Sequence, residues 1–269
     1  MDWSRALRAQ LHTRAEAWAS KEALPHYESV GQDPTILFER DLDGRRHGNF
    51  HLSSWRAISA NPAWARRLEK VHSQVKALPE EKRALAKELD SSNSSDALLM
   101  NCFCFPGAVE RILSGLRLPT ELGTPDFGYL PRLSLSDGTL DDTEVDMRIG
   151  TFFVEAKLTE KDFTTKVKAH VFGYRDFTKV FDVDALPGDE STFTGYQLIR
   201  NVLAAAQHNA SFVVLVDQRR PDLLQEWWNV HAAIRDSELR ERCGFRTWQQ
   251  VAAAAPHVLK DFLELKYGL

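Results

Sequence analysis

The sequence lacks an apolar run of about 20 residues, which is the length that a helix needs to cross a lipid bilayer. The N-terminal segment, residues 1–23, has helical periodicity but not the apolar core of a signal peptide. These two absences argue against a membrane-spanning or exported protein. We therefore expect a cytoplasmic protein with no membrane partner.

Cysteine is scarce, since the 269 residues include only Cys102, Cys104 and Cys243. Cys102 and Cys104 are two residues apart within an expected helix, so their side chains point in different directions and cannot form a disulfide. The sequence also has no CxxC pair and no His–Cys spacing that is typical of zinc sites. We expect all three thiols to pack inside the protein.

The motifs of several enzyme classes are missing as well. No GxxxxGK[ST] or GxGxxG segment is present to bind nucleotide phosphates, and the nine histidines form no HxH or HExxH pattern. The formal net charge is −4, which argues against nucleic-acid binding through bulk positive charge alone. A local basic cleft, which is what contact with phosphates requires, stays compatible with that balance.

The composition is that of a globular protein, with 43% hydrophobic and 27% charged residues. A chain of this length can bury a sizeable core. We expect one domain over residues 1–269, built from a mainly helical N-terminal extension (1–90), a core (91–220) and a helical C-terminal segment (221–269).

The most informative stretch is EVDMRIGTFFVEAK, residues 144–157. Its apolar and charged residues alternate on both sides of Gly150, which predicts two antiparallel strands with one buried face. Gly150 is suited to the turn because glycine tolerates positive φ. One face would carry the charged side chains Glu144, Asp146, Glu155 and Lys157.

The turn length decides which of these side chains meet. A symmetric loop of two or four residues around Ile149 and Gly150 would place Asp146 beside Phe153 and diagonal to Glu155. Glu144 would then lie across from Glu155. A loop of odd length would split the charged residues between the two faces, because a slip of one residue turns every side chain over.

Helical and strand patterns surround this hairpin. Residues 96–116 predict a helix that Pro106 and Gly107 divide, and Asp137-Gly138 predicts a tight turn. Residues 212–216 are a short apolar run with three valines, typical of a buried strand that a crossover helix joins to a parallel neighbour. The remaining predictions are a strand at 36–38, helices at 53–60, 63–78 and 79–89, a strand at 129–135, and helices at 194–208, 221–234, 247–255 and 257–266.

Two basic segments each allow two interpretations. Residues 53–87 contain eight Lys or Arg against three Glu, which fits solvated helix faces or a wall that contacts phosphates. Residues 159–179 interleave lysines with aromatic residues. That pattern fits a surface that meets a polyanion and stacks bases, and it equally fits a segment that covers the sheet.

Carboxylates that share one face can bind a hard divalent cation such as Mg²⁺, which would also relieve their mutual repulsion. Asp146 and Glu155 are the candidate ligands, with the backbone carbonyl of Ala156 beside them. The ammonium group of Lys157 could orient or help to deprotonate an attacking water, or stabilise a phosphorane-like transition state. The alternative is a hairpin whose wet face carries these residues by chance.

The arrangement D-x₈-E-x-K resembles the D…(D/E)xK signature of the PD-(D/E)xK nuclease superfamily, with Asp146, Glu155 and Lys157 at the matching positions. Val145 stands where a proline often precedes the aspartate. Residues 51–61, 94–103, 144–163 and 196–205 are similar to segments of a group of restriction-endonuclease-like proteins, in which a glutamine is expected where Asp96 stands. The resemblance implies an α/β fold: a restriction-endonuclease-like core with a mixed sheet of four to five strands flanked by helices, and extra N- and C-terminal helices.

The resemblance also implies accessory site residues. An acidic residue of the first core helix would contribute to the metal site, with Glu110 as the first candidate and Glu121 as the second. Gln197 would support the site from a later helix, with Arg200 and Asn201 near the same turn; a buried structural role is the alternative for these three. Glu144 would be a further carboxylate of the metal site if the drawn register holds.

The expected function is that of a metal-dependent nuclease that hydrolyses DNA phosphodiester bonds, as a restriction-type or defence endonuclease. Mg²⁺ is the expected cofactor, with Mn²⁺ as an alternative ion and RNA as an alternative substrate. Double-strand cleavage would require two active sites and hence a homodimer. The alternative function is a catalytically inactive member of the superfamily that binds nucleic acid or protein.

Overall fold

The computed structural model describes residues 2–72, 75–118 and 123–269. The chain forms two compact units: a helical unit of residues 1–120 and 247–269, and a sheet unit of residues 121–246. The expected segment boundaries lay at residues 90 and 220. The observed units differ because the C-terminal helices are part of the same unit as the N-terminal helices. The expected single-domain organisation stays a prediction.

The helical unit begins with a long helix whose buried residues recur every four positions, at Leu7, Leu11, Ala15 and Ala19. The Asp2 side chain caps this helix by accepting from the backbone N–H of Arg5. The elements of its N-terminal part are α1 (Trp3–Lys21), β1 (His26–Glu28), β2 (Ile36–Phe38), α2 (Leu52–Ala60), α3 (Pro62–Ala65), α4 (Ser95–Phe103) and α5 (Ala108–Gly115). The strand expected at 36–38 is confirmed.

The two helices expected at 63–78 and 79–89 are wrong. Helix α3 ends at Ala65, and the described residues from 66 to 90 form short 3-10 turns, at Arg66–Glu69, Val75–Ala77, Glu80–Lys82 and Glu88–Asp90. Tertiary contacts override the local helical pattern here, because the buried Asp96 carboxylate accepts from Arg67 (2.9 Å) and Lys70 (3.1 Å). Two more of the basic residues pair with carboxylates, as Lys82 with Glu39 and Lys87 with Glu69.

Helices α4 and α5 confirm the expected division at Pro106 and Gly107. The two helices are bent by 105° across this break, and Gly107 has a positive φ of 73°. No single helix of the described ranges is long and apolar enough to cross a membrane, and α4 with α5 meet that test only as a bent pair, by length and composition.

The sheet unit contains nine strands and five helices among its described residues. Five of the strands form one mixed sheet in the order β11-β10-β7-β6-β3. The elements are β3 (Asp126–Tyr129), β4 (Leu133–Ser134), β5 (Leu140–Asp141), β6 (Val145–Ile149), β7 (Phe152–Ala156), β8 (Thr165–Val167), α6 (Lys168–Val171), α7 (Phe177–Val180), β9 (Thr192–Thr194), α8 (Tyr196–Gln207), β10 (Ser211–Val216), α9 (Pro221–Ala232), α10 (Ser237–Arg242) and β11 (Cys243–Thr247).

The β6–β7 hairpin and the parallel strand β10 are confirmed, whereas the strand expected at 129–135 is wrong, because the chain leaves the extended conformation between β3 and β4. Strands β3, β6 and β7 are antiparallel neighbours, whereas β10 runs parallel to β7 after the crossover helix α8. Strand β4 pairs with β5 around the expected turn at Asp137-Gly138. The predicted fold class is confirmed: the chain is α/β, with a five-stranded mixed sheet flanked by helices and additional N- and C-terminal helices.

The register of the β6–β7 hairpin differs from the predicted one. Ile149 pairs with Phe152 and Arg148 with Phe153, so the two-residue turn is Gly150-Thr151, with Gly150 at a φ of 57°. Phe153 therefore opposes Arg148, and the placement of Asp146 beside Phe153 is wrong. The shift is two residues, so every side chain keeps the face that the sequence predicts.

Strand β7 is buried on both faces, unlike a hairpin strand with one wet face. It lies between β6 and β10 in the sheet, and α8 packs against it. The core around it includes Phe153, Phe212 and Trp227. A charged residue on β7 therefore needs a partner inside the protein.

The chain returns to the helical unit through α11 (Trp248–Ala254) and α12 (His257–Tyr267), which confirm the two last predicted helices. Helix α11 packs against α5, and α12 packs against α1. The sequence analysis missed α10 and β11, which lie between predicted helices. The thiols of Cys102, Cys104 and Cys243 are free and buried, as expected.

Candidate active site

Three charged side chains lie at the ends of the two central strands. Asp146 is the second residue of β6, Glu155 is the fourth residue of β7, and Lys157 directly follows β7. Met147 pairs with Val154, so the next position along the hairpin is that of Asp146 and Glu155. The structure therefore brings the two carboxylates to one place on one face, and Lys157 shares that face two residues further on.

Glu155 and Lys157 form a buried ion pair. Their side chains are 2% and 8% exposed, and Lys157 Nζ lies 2.9 Å from Glu155 Oε1. The second carboxylate oxygen accepts a hydrogen bond of 2.7 Å from the amide of Asn201 on α8. Both oxygens of Glu155 thus have a donor, which compensates for the loss of water around a buried charge.

Asp146, on the neighbouring strand β6, is held by the backbone of β7. Its Oδ2 accepts a hydrogen bond of 2.7 Å from the backbone N–H of Ala156. The N–H and C=O of one strand residue point to the same side, so the carbonyl of Ala156 also faces β6. Two carboxylates and one carbonyl oxygen therefore lie together at the open end of the hairpin, away from the Gly150-Thr151 turn.

Helix α8 supports this arrangement through a chain of hydrogen bonds. The fully buried Arg200 donates to Asn201 Oδ1 (2.8 Å from Nη2) and to the backbone carbonyl of Glu144 (2.7 Å). Asn201 is thereby oriented with its amide N–H toward Glu155. Arg200 Nη1 and Gln197 Oε1 are buried without a hydrogen-bond partner within the described part of the chain.

The charge state of Lys157 follows from its surroundings. Burial alone would lower the pKa of this ammonium group, but the negative charges of Glu155, Glu160 and Asp146 outweigh it and raise the pKa above its ordinary value. Lys157 therefore keeps its proton at neutral pH. A positively charged donor suits stabilisation of negative charge and orientation of a water, whereas a general base would need a neutral amine.

The loop after β7 is anchored by Arg220, which the sequence analysis did not single out. Its guanidinium is fully buried and donates to the backbone carbonyls of Leu158 (3.3 Å), Glu160 (2.7 Å) and Lys161 (3.1 Å). The carboxylate of Asp222 accepts from the same group. The sequence offers no signal for this role, because the contact joins residues about sixty positions apart.

The accessory residues are placed as follows. Glu144 contributes its backbone carbonyl to Arg200. Gln197 lies at the start of α8, on the turn before Asn201. Glu110 is exposed on α5 in the helical unit, and Glu121 lies outside the described residues. The expected placement of Glu144 across from Glu155 is wrong, because Asp146 takes that position in the observed register. The roles assigned to Glu110, Gln197 and Glu144 stay predictions.

The structure distinguishes the two interpretations of residues 159–179. Phe163, Tyr174 and Phe177 are buried in the core of the sheet unit, so they cannot stack bases. Phe172 is exposed by 46%. The aromatic residues of this segment mainly cover the sheet, while its lysines stay at the surface or half-buried.

The donor set at the hairpin end has the chemistry that a hard divalent cation needs. No group of three or more His, Cys, Asp or Glu side chains in the described ranges is arranged to hold a metal ion. Mg²⁺, however, is commonly held by one or two carboxylates together with waters and substrate phosphates. Asp146, Glu155 and the Ala156 carbonyl match that smaller set.

The chain matches the model of a known protein family. A family model described as "Restriction Endonuclease associating with ARP" (REase-ARP) matches residues 13–268. No curated protein matches, and no solved structure matches. The matched residues include both parts of the helical unit and all of the sheet unit, together with Asp146, Glu155 and Lys157. Because that match covers nearly the whole sequence, the chain belongs to the REase-ARP family of restriction endonucleases.

Proposed function

We propose that this chain is a metal-dependent nuclease that hydrolyses phosphodiester bonds in DNA, as a restriction-type or defence endonuclease. The observation that carries the proposal is the meeting of Asp146, Glu155 and Lys157 on one face at the end of the β6–β7 hairpin. Membership of a restriction-endonuclease family supports the reaction class. The D-x₈-E-x-K spacing supports a place in the PD-(D/E)xK superfamily.

The carboxylates of Asp146 and Glu155 and the carbonyl of Ala156 would hold Mg²⁺ or Mn²⁺. The ion would supply Lewis-acid polarisation of the phosphodiester and a more acidic bound water. Lys157 would stabilise the negative charge that develops on the phosphate, since it carries its proton. Asn201 and Arg200 would keep Glu155 oriented, because a site that is held rigidly loses less energy to reorganisation.

The experiment is a cleavage assay with plasmid, single-stranded DNA and RNA, each with Mg²⁺, with Mn²⁺ and with EDTA. We expect metal-dependent cleavage of DNA by the wild type and none by the Asp146→Ala and Lys157→Ala proteins. A sample of Lys179→Ala serves as the control, because Lys179 is an exposed lysine of the same unit. Metal-dependent cleavage that both site variants retain would refute the proposal.

A non-catalytic binding module is the second candidate. It is favoured by the state of Glu155, whose two oxygens are already engaged by Lys157 and Asn201. A binding module should bind nucleic acid or protein equally well with Mg²⁺ and with EDTA. Calorimetric titration of Mg²⁺ into wild type and into Asp146→Ala separates the candidates, because only the nuclease requires a metal site that Asp146 completes.

The proposed function also implies binding partners for this chain. DNA is the proposed substrate, and RNA enters as an arm of the cleavage assay. The family is described as associating with ARP, so ARP is a proposed partner of this chain. A homodimer and a cytoplasmic location stay predictions, and the dimer is checked by sedimentation of the full chain with and without duplex DNA.

A further inference from the structure

In the sheet unit, Lys166 and Lys168 form no ion pair with a carboxylate of the described ranges. Lys166 Nζ lies 5.4 Å from the centre of the Tyr196 ring, and Lys168 Nζ lies 4.9 Å from the centre of the Phe193 ring. Both lysines are half-buried. The rings support the aliphatic stems and attract the ammonium groups, which leaves two fixed positive charges at one surface.

His170 lies at the same place. Its Nε2 is 3.1 Å from the hydroxyl of Tyr196, and its ring is exposed. The Tyr196 hydroxyl is itself held, because it lies 2.7 Å from the Tyr174 hydroxyl, which donates to Asp141 (2.5 Å). This chain of contacts fixes Tyr196, and with it the positions of His170 and Lys166. The three residues Lys166, Lys168 and His170 are called the lysine surface below.

The neighbouring carboxylates are engaged elsewhere. Asp162 accepts from the backbone N–H of Thr164 (2.8 Å). Asp189 accepts from the N–H groups of Ser191 and Thr192, and these hydrogen bonds lower its pKa to about 2. Each carboxylate caps its own turn rather than a lysine. Both carboxylates keep their negative charge, but neither forms an ion pair with Lys166 or Lys168, so the two ammonium groups can contact an external anion.

The lysine surface lies near the candidate site along helix α8. Tyr196 begins this helix, and Asn201, which binds Glu155, follows five residues later. Five residues of helix rise by about 7.5 Å. The lysine surface and the candidate site are therefore placed by the same helix, within about one and a half of its turns.

We propose that the lysine surface binds the phosphate backbone of the nucleic acid, a few nucleotides from the bond that the candidate site cleaves. This inference rests on the proposed function for the presence of a cleaved strand. Phosphate contact positions a substrate without reading its sequence, so the surface would set affinity and strand register. Phe193 beneath it is buried, so this ring supports Lys168 and cannot stack a base.

The experiment measures binding of the full chain to a labelled duplex DNA by fluorescence anisotropy, with Ca²⁺ in place of Mg²⁺, over a series of salt concentrations. The variants are Lys166→Ala/Lys168→Ala and, as a matched control, Lys179→Ala. Lys179 lies in the same segment and already pairs with Asp176 (2.8 Å). Thermal unfolding of each variant checks that the fold is intact, and a duplex RNA arm compares the two sources of phosphate backbone.

Each lysine–phosphate contact contributes about one unit to the slope of log affinity against log salt. The salt dependence of the double variant should therefore be less steep than that of the wild type, by about two units of slope. Its Kd should rise on the order of tenfold or more at 100 mM salt. Lys179→Ala should leave the slope unchanged. An unchanged slope in the double variant, or a wild type that binds no nucleic acid, overturns the inference.

The outcomes separate this inference from the proposed function. If the wild type binds DNA with the expected slope change but does not cleave it, the lysine surface stands and the nuclease proposal fails. If the wild type cleaves DNA and the double variant binds with an unchanged slope, the nuclease proposal stands and the lysine surface fails.

Discussion

Each unit of the protein buries one lysine completely or nearly so, and the two lysines differ in their partners. Lys157 of the sheet unit pairs with the carboxylate of Glu155 at 2.9 Å. Lys266 of the helical unit is 1% exposed, and its partners within the described residues are neutral: the Asn49 side-chain and backbone oxygens, the Tyr267 hydroxyl (2.7 Å) and aromatic rings. Burial lowers the pKa of Lys266 well below its ordinary value, whereas the pKa of Lys157 is raised.

The difference teaches that burial alone does not make a functional lysine. Desolvation disfavours the charged form at both positions, and only a nearby anion reverses the effect. Lys266 is surrounded by the rings of Phe38, Phe262 and Tyr267, so it acts as part of a core. Lys157 keeps a positive charge next to two carboxylates, which is an arrangement that is costly for folding and useful for binding a metal and a phosphate.

Catalysis gives the largest expected contrast between the two lysines. Lys157→Met should lower the single-turnover rate of DNA cleavage by about 10²–10³-fold or more, because it removes the charge that would stabilise the transition state. Lys266→Met should stay within about twofold of the wild type, as a substitution in the helical unit that spares Asp146, Glu155 and Lys157. Comparable losses in both variants would show that buried lysines in general, and not the ion pair, maintain activity.

Stability gives the next contrast. Lys157→Met should lower the free energy of unfolding by about 3–5 kcal/mol in the absence of metal, because Glu155 is left buried without its cation. The double variant Glu155→Gln/Lys157→Met should recover most of this loss, since no uncompensated charge remains. Urea unfolding followed by circular dichroism measures both, and a double variant as unstable as the single one would contradict the account.

The pH dependence of stability separates the lysines further. The folded-state pKa of Lys266 is below its unfolded value of about 10.4, so the unfolded chain binds the additional proton in the window below that value. The contribution of Lys266 to stability is therefore fully present above pH 10.4 or so and is lost as the pH falls.

The measurement compares wild type and Lys266→Met by urea unfolding at several pH values from 7 to 10. The difference between the two proteins should change by up to about 1.4 kcal/mol per pH unit in favour of the wild type as the pH rises. Lys157→Met should give no such trend, because the raised pKa of Lys157 lies above this window. A flat difference for Lys266→Met would mean that Lys266 is charged in the folded protein.

The smallest expected effect concerns the amide that orients Glu155. Asn201→Ala should destabilise the protein by about 1–3 kcal/mol, because it leaves Glu155 Oε2 and Arg200 without their partner. Cleavage should fall by on the order of tenfold through the loss of orientation, and Asn201→Gln is the conservative control. A variant with normal cleavage at all pH values would assign Asn201 a purely structural role.

Much of the sheet unit could be predicted from the sequence, because its strands are formed by local and strongly alternating segments. The alternation across residues 144–157 and the apolar run of 212–216 each predict a strand with a defined partner direction, and both are confirmed. The turn at Gly150 was correct in kind but lies one residue later than predicted, which shifts the strand pairing by two residues. An even shift preserves faces, so Asp146, Glu155 and Lys157 still share one.

The helical unit was less predictable for a physical reason. Residues 63–89 have the spacing of two helices, yet the Asp96 carboxylate draws Arg67 and Lys70 toward α4 and breaks the first of them. Long-range ion pairs of this kind leave no trace in a window of ten or fifteen residues. The same limit applies to Arg220 and to the aromatic residues of 159–179, whose burial depends on contacts across the sheet unit.

The sequence by itself determined which residues alternate, and thereby the α/β class, the hairpin and the common face of Asp146, Glu155 and Lys157. These are consequences of backbone periodicity, which acts over a few residues. Only the tertiary structure decided that Glu155 and Lys157 are buried as an ion pair, that Asn201 and Arg200 support them, and that Lys266 is buried among neutral partners. Charge states of buried groups depend on what the fold packs around them, and that packing joins residues that are distant in the chain.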